Sequence, residues 1–333
     1  MTQRALIVGD GIAGLGAAIV LARAGWQVTL TGPHAGKAAL HREHAHLTSA
    51  AVMAKLERVA GSPLGGWRVA PAAVWDDSGW RDEAARPVIA VGAMRHSLAE
   101  RADALGVALR RGCAIDPLPG DGGWHWRTKN HAGTADLLVD ATGSGHFLGR
   151  LAGFAVTLEE LAGMDRCWSW TGTNDGPLQP WLIAARGAMQ SAVLLRGPDG
   201  RLRLTLRQSS SAAPDPRTAL DRLLVGAGAQ WAARIGSVAL DPRPLRHDSP
   251  LARRTVVKAH APLPALIRLG DGLIQTAPRL GQGIAQIAEQ LGALADALAA
   301  GLAPAEWQCG LDRLAQQRWA GLMFHAGLGR IAA

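Results

Sequence analysis

Gly9–Asp10–Gly11–Ile12–Ala13–Gly14 is the first group of residues whose types and spacing carry chemistry. Ala5–Leu6–Ile7–Val8 before it is apolar and partly β-branched, as a buried parallel strand requires. In such a turn Gly9 permits the tight bend and Gly11 lets the backbone approach a pyrophosphate. Gly14 then lets the following helix pack close to the strand. The helix reads from Leu15 through Ala17, Ala18, Ile19, Leu21 and Ala22 to Ala24, and Gly25 stops it. A second strand follows at Gln27–Val28–Thr29–Leu30. Strand, glycine turn, helix and strand in this order predict a dinucleotide phosphate held at a helix N-terminus.

Far down the chain, Leu269–Gly270–Asp271 is followed by Pro278 and Gly281–Gln282–Gly283, which open an Ala/Leu-rich helix. An Asp there can accept a hydrogen bond from a ribityl hydroxyl, and Gly270 allows close approach. The N–H groups of Gly283 and Ile284 point along the helix dipole and favour a ring that becomes negative on reduction. The two groups together predict one flavin bound across a doubly wound sheet. One customary element is missing, the acidic residue that ends the second strand and holds the ribose hydroxyls. The sequence there is Thr31–Gly32–Pro33–His34, with no Asp or Glu before Glu43. A phosphorylated ribose read by His34 or Lys37 is one explanation, and a loosely held adenosine end, which is preferred, is another.

The chain of 333 residues is long enough for two domains, and its 48% hydrophobic content suits an ordinary soluble enzyme. A net charge of +8 favours an anionic cofactor or an acidic small-molecule substrate. The arginines are scattered and lack interleaved aromatics, so nucleic acid is not expected as a partner. Cys113, Cys167 and Cys309 form neither a disulfide framework nor a metal knuckle, which points to a reducing, cytoplasmic setting without a metal site. Asp10 and the glycines interrupt the N-terminal apolar stretch, so it reads as a nucleotide-binding turn and not as a signal peptide. No uninterrupted apolar run reaches membrane-spanning length. With 12 Trp and no Tyr, no tyrosine hydroxyl takes part in the chemistry.

The pattern along the chain predicts an α/β protein: a Rossmann-like FAD-binding domain with an inserted, mostly antiparallel β-sheet substrate domain. The flavin domain is expected over 1–64, 92–155 and 260–333, and the substrate domain over 65–91 and 156–259. Helices are expected from about Ala50, Arg95, Pro216, Gly283 and Pro304. Val107–Ile115 and Trp124–His125–Trp126 read as strands of a meander. Ala192–Leu195 should pair with Arg201–Arg207 across the Gly197–Gly200 turn. Arg201, Arg203 and Arg207 share one strand face, for which water is preferred over an acidic substrate.

Three blocks resemble the FAD-dependent aromatic hydroxylase and halogenase superfamily, the para-hydroxybenzoate hydroxylase fold. They are Gly9 to Gly14, Asp136–Leu137–Leu138–Val139–Asp140–Ala141–Thr142–Gly143, and Gly270–Asp271 through Pro278 to Gly283. His44–Ala45–His46–Leu47 is similar to a short block in one branch of these oxidoreductases. Arg95 with Leu98 is similar to the arginine-led helix ahead of the adenine-contacting strand, where Ala114 lies. The departures are the missing acid, Glu43 between Arg42 and His44, and His146 where the family has serine.

The resemblance implies that Gly9, Gly11, Ile12, Ala13, Gly14, Arg42, Arg95, Ala114, Ala141, Thr142 and Gly143 contact FAD. From the C-terminal block it adds Gly270, Asp271, Pro278, Gly281, Gln282, Gly283 and Ile284. It further implies reduction by NADH or NADPH, or by a partner flavin reductase. A flavin hydroperoxide would then hydroxylate a small aromatic or natural-product-type substrate. His44 is the candidate catalytic group near the isoalloxazine, with His41, His46, His146 and His247 behind it. Three alternatives stay open: a flavin dehydrogenase, oxidase or reductase without oxygen transfer, a halogenase, and a non-catalytic flavin fold. Halogenases carry a Trp-x-Trp-x-Ile-Pro block and a channel lysine. Here Trp168–Ser169–Trp170 matches the tryptophans alone, and two such tryptophans most often fill one side of a sheet.

Overall fold

The computed structural model describes residues 2–32, 45–76, 79–111, 115–143, 154–160, 164–176, 178–186, 190–208, 215–250, 252–259, 264–276 and 282–331. The chain opens with β1 (Arg4–Val8), α1 (Ile12–Arg23) and β2 (Gln27–Gly32), then β3 (Ala45–Leu47) and α2 (Ala50–Ala60). Next come β4 (Trp67–Asp76), β5 (Gly79–Ala90), α3 (Val91–Ala104) and β6 (Ala108–Arg111). The strands β7 (Asp116–Gly120), β8 (Gly123–Arg127), β9 (Ala132–Ala135) and β10 (Leu137–Asp140) follow. The middle of the chain holds β11 (Phe154–Glu160), β12 (Met164–Asn174), β13 (Trp181–Arg186), β14 (Gln190–Arg196) and β15 (Leu202–Gln208). After α4 (Pro216–Ala227) and α5 (Ala229–Ile235) come β16 (Val238–Leu240), β17 (Leu245–Pro250) and β18 (Ala252–Ala259). The last part is β19 (Ala265–Arg268), a 3₁₀ turn at Gly270–Gly272, β20 (Ile274–Thr276), α6 (Gly283–Ala299) and α7 (Pro304–Ile331).

The parallel sheet has the order β19-β10-β1-β2-β6. Its register sets Val8 beside Asp140 and Asp140 beside Arg268. The central strands carry buried apolar runs, Ala5–Val8 in β1 and Leu137–Val139 in β10, because both faces are covered. Ala5 and Ile7 of β1 pack toward α1, α2, α3 and α6, in a core that includes Ile19, Met53, Met94 and Leu291. Leu6, Val8 and Leu138 face the β7-β8-β9 meander, where fully buried Trp124 donates its indole N–H to Ala265 O at 2.8 Å. Local signals set the helix bounds: the Ser49 hydroxyl accepts from Val52 N at 3.2 Å to start α2, and Gly61 at φ 71° ends it.

The larger sheet has the order β16-β12-β15-β14-β13-β4-β5-β3, with β17 also pairing β12. All its pairs are antiparallel except β4 with β13. Trp168, Trp170, Trp181, Leu202, Leu204 and Leu206 pack against Leu220, Leu223, Trp231 and Ile235 of α4 and α5. Ala70, Ala72, Val74, Leu182, Ala184 and Leu195 form a second buried cluster. Arg203 lies in register with Leu195 on β14, so it belongs to that second face. A third sheet joins β11, β18 and β20.

The arginine strand corrects one expectation. Arg201 precedes β15 and is exposed, but Arg203 and Arg207 are buried, at 6% and 7% exposure. Alternation marks two faces correctly, yet here the polar face is also covered. Asp199 makes the burial of Arg203 tolerable, with its Oδ2 accepting from Nη2 at 2.6 Å and its Oδ1 from Nη1 at 3.1 Å.

Candidate functional site

The three sequence blocks meet at the C-terminal ends of β1, β10 and β19. Ala141 N donates to Val8 O at 2.8 Å, and Leu269 N donates to Asp140 O at 2.9 Å. Gly9 has φ 119°, and a Cβ there would overlap the Ala141 carbonyl oxygen. A Cβ on Gly14 would overlap Gly9 O and lie 3.3 Å from the Ala141 Cβ. Gly270, at φ 63°, lies against Ala13, with 3.1 Å from its would-be Cβ to the Ala13 Cβ. Residues at the two ends of the sequence thus share one turn region.

Gly11 differs from its neighbours. Its φ of −74° and ψ of −177° suit any residue, and a Cβ there meets no atom within 4 Å among the described residues. Among the described residues the space in front of Gly11 is open, and α1 begins there without a side-chain cap. The first intrahelical bond is Leu15 N to Gly11 O, at 2.9 Å, which leaves the N–H groups of Ile12, Ala13 and Gly14 without helix acceptors. Uncapped donors beside an open glycine surface fit the diphosphate of a dinucleotide.

The middle block is anchored by Asp140, which is 3% exposed. Its Oδ1 accepts from Thr142 N at 3.0 Å and from Thr142 Oγ1 at 2.8 Å. Gly143 follows at φ 69°, and among the described residues nothing lies within 4 Å of its would-be Cβ. Asp140 holds this turn in place and does not itself face the open space.

The C-terminal block is held by the buried face of α6. Gln290 Oε1 accepts from Gly270 N at 2.6 Å, and Gln286 Nε2 donates to Ile274 O at 2.7 Å and to Asp271 Oδ1 at 3.4 Å. Gln286 and Gln290 are 2% and 3% exposed. Gln282 caps α6 without a side-chain bond to the helix, because its Oε1 accepts from Arg318 Nη1 at 2.7 Å. Arg318 also pairs with Glu289, which ties α7 to the start of α6. Gln286 N to Gln282 O, at 2.9 Å, is the first helical bond, so Gly283, Ile284 and Ala285 carry N–H groups with no helix acceptor. Packing fixes α6 against α1: a Cβ on Gly16 would overlap the Leu291 side chain.

Arg95 points at the first glycine turn. Its Nε donates to Asp10 O at 3.1 Å and its Nη2 to Asp10 Oδ2 at 2.8 Å, with both side chains 15% exposed. Asp10 in turn lies against the end of β2: a Cβ on Gly32 would overlap its carboxylate carbon and lie 2.7 Å from Oδ1.

Of the sequence candidates, Gly9, Gly11, Ile12, Ala13, Gly14, Ala141, Thr142, Gly143, Gly270 and Asp271 gather around this turn region. Gln282, Gly283 and Ile284 form the start of α6, and Arg95 reaches Asp10. His44, Arg42, Ala114, Pro278 and Gly281 lie outside the described residues, as do His34, Lys37, His41 and His146. His46 is exposed on β3, which pairs with β5 at the edge of the larger sheet. Sequence reasoning missed Asp10, Gln286 and Gln290 as working residues. The signal for the two glutamines was present: polar side chains four apart within an apolar helical stripe. No group of three or more His, Cys, Asp or Glu suitable for a metal occurs among the described residues. No described helix is long and apolar enough to cross a membrane.

No protein-family profile matches the chain, and no curated protein matches it. Solved structures do. A peptidyl tryptophan dihydroxylase, QhpG, is 20% identical with a TM-score of 0.66, over 97% of this chain and 74% of its own. A triple mutant of the flavin-dependent brominase Bmp2 is 16% identical with a TM-score of 0.70, over 95% of this chain and 86% of its own. CtdE, solved in complex with FAD, is 17% identical with a TM-score of 0.65, over 100% of this chain and 93% of its own. With its parallel sheet, its antiparallel sheets and its glycine-lined turn, the chain has the α/β fold of flavin-dependent oxidoreductases.

Proposed function

We propose that this chain is an FAD-dependent monooxygenase that hydroxylates a small, aromatic or natural-product-type substrate. The observation that carries the reading is the convergence of three distant blocks on an open, uncapped helix start at Gly11. The fold shared with a dihydroxylase and with the FAD complex of CtdE supports it. In this reading the fold is para-hydroxybenzoate hydroxylase-like. Residues 1–64, 92–155 and 260–333 bind the flavin, and residues 65–91 and 156–259 hold the substrate. NADH or NADPH, or a partner reductase, donates the electrons, and the reaction runs in the cytoplasm.

When bound, FAD supplies electron transfer and the activation of oxygen. The chain's residues do the rest. The N–H groups of Ile12, Ala13 and Gly14 bind the diphosphate, and Asp271 accepts from a ribityl hydroxyl. The N-terminal N–H groups of α6 favour negative charge on the flavin ring. The buried sheet face of Ala70, Ala72, Val74, Leu182, Ala184 and Leu195 gives an apolar wall that excludes water. His44, directly before β3 in sequence, is the proposed polar group near the ring.

A second reading, flavin-dependent halogenation, is favoured by the brominase Bmp2 and the halogenase PltM among the fold neighbours. Against it, Trp168 and Trp170 pack toward α4 and α5, while Lys55 and Lys129 are exposed. Incubation with NADPH or NADH, candidate aromatics, bromide and ¹⁸O₂, followed by mass spectrometry, separates the readings. Monooxygenation predicts one ¹⁸O per product and halogenation a brominated product. Substrate oxidation without either supports a dehydrogenase or oxidase.

A further inference from the structure

The end of β2 offers no carboxylate of its own, yet a carboxylate lies there. The ideal Cβ of Gly32 would overlap the Asp10 carboxylate carbon and sit 2.7 Å from Asp10 Oδ1. Asp10 arrives from the first glycine turn, between Gly9 and Gly11, and Arg95 of α3 fixes it through the Nη2–Oδ2 bond of 2.8 Å. A second bond, from Arg95 Nε to Asp10 O at 3.1 Å, locks backbone and side chain of the same residue. Oδ1 takes no hydrogen bond among the described residues, so one acceptor is left at the end of β2, 2.7 Å from the ideal Gly32 Cβ.

We infer that Asp10 replaces the ribose-binding carboxylate that dinucleotide-binding folds place at the end of the second strand. The inference rests on the flavin reading above. Gly32 is the complement of this arrangement, because any side chain there would displace the Asp10 carboxylate. Its backbone does not demand glycine, since its φ lies outside the left-handed region. Arg95 serves two ends. It aims Oδ1 at the ribose, and it neutralises a charge that would otherwise repel the neighbouring diphosphate. Arg95 is therefore a positioning residue for Asp10, and the adenosine end of FAD is gripped from the first turn instead of from β2.

The test compares FAD with an FAD analogue whose adenosine lacks both ribose hydroxyls, each titrated into apoprotein by flavin fluorescence. Loss of a hydrogen bond to a charged acceptor corresponds to about ten- to a hundredfold in affinity. Wild-type protein should bind FAD more tightly than the analogue by about that factor. In Asp10→Ala the preference should fall to near one, and the near-isosteric Asp10→Asn should reduce it in the same direction. The ratio of the two constants is insensitive to a general weakening of the turn. The double variant Asp10→Gly with Gly32→Glu should regain the preference, because the carboxylate returns to β2 and glycine at position 10 removes all three Asp10 atoms that crowd a Gly32 Cβ.

A wild-type preference that persists in Asp10→Ala and Asp10→Asn would overturn the inference. So would wild-type binding of FAD and analogue with equal affinity, which leaves the flavin reading intact. Wild-type protein that binds neither molecule refutes the flavin reading itself.

Discussion

Gly11→Ala should separate cofactor binding from folding. The residue sits at φ −74° and ψ −177°, so alanine meets no backbone strain, and its methyl group meets no described atom within 4 Å. Alanine reduces the freedom of the unfolded chain, worth about 0.4–1 kcal/mol in favour of the fold, and is a poorer N-cap than glycine by a similar amount. The net change in apoprotein stability should be under about 1 kcal/mol. The same methyl projects into the space assigned to the diphosphate. Pushing a phosphate oxygen away from even one backbone N–H forfeits about 1.5–3 kcal/mol, or about ten- to a hundredfold in FAD affinity. Gly14→Ala is the control with the opposite outcome. Its Cβ would overlap the Gly9 carbonyl, so helix and turn must part, at a cost of about 3 kcal/mol or more. Thermal melts of both apoproteins and FAD titration of Gly11→Ala give the readings. Wild-type FAD affinity in Gly11→Ala, or wild-type stability in Gly14→Ala, would refute the reasoning.

Three further outcomes are expected. Gln290→Leu leaves the buried Gly270 N–H without its acceptor, costs about 1–3 kcal/mol in a urea melt and weakens FAD binding through the Gly270–Asp271 turn. Asp199→Asn strips buried Arg203 of its charge partner and should cost about 1–2 kcal/mol at neutral pH, allowing for solvent at Asp199. Burial pulls the Asp199 pKa up, but the hydrogen bond and charge of Arg203 outweigh it and hold the carboxyl below its ordinary 3.8. The wild-type advantage is therefore full above that value and shrinks as the pH falls through the lower, folded-state pKa; a gap that instead closes on raising the pH to 8 contradicts this. Trp124→Phe removes the bond to Ala265 O while keeping the ring in its core, and should cost about 1 kcal/mol by denaturant melt.

The parts of the site legible in the sequence are those set by hard sterics. Gly9, Gly14 and Gly270 are glycines because a Cβ has no room or the backbone turns to positive φ, and such demands survive at any distance along the chain. The pairing of β14 with β15 across Gly197–Gly200 was legible for a similar local reason. The Asp10 carboxylate was not, because a search for an acid along β2 cannot see one delivered across from the neighbouring turn. Burial of Arg203 and Arg207 escaped because alternation identifies a second face without saying what covers it. The start of α3 at Val91 was obscured by Gly92, a poor helix former just after an apolar strand. Gln286 and Gln290 escaped because a long Ala/Leu-rich stripe reads as uniform packing until its polar members find backbone partners.

FAD titration of the folded, purified apoprotein, followed by calorimetry and by the visible spectrum of the complex, tests the central claim most directly. Saturable binding at one FAD per chain, with a perturbed flavin spectrum, is the predicted result. A folded apoprotein that takes up no FAD at any concentration would contradict the account.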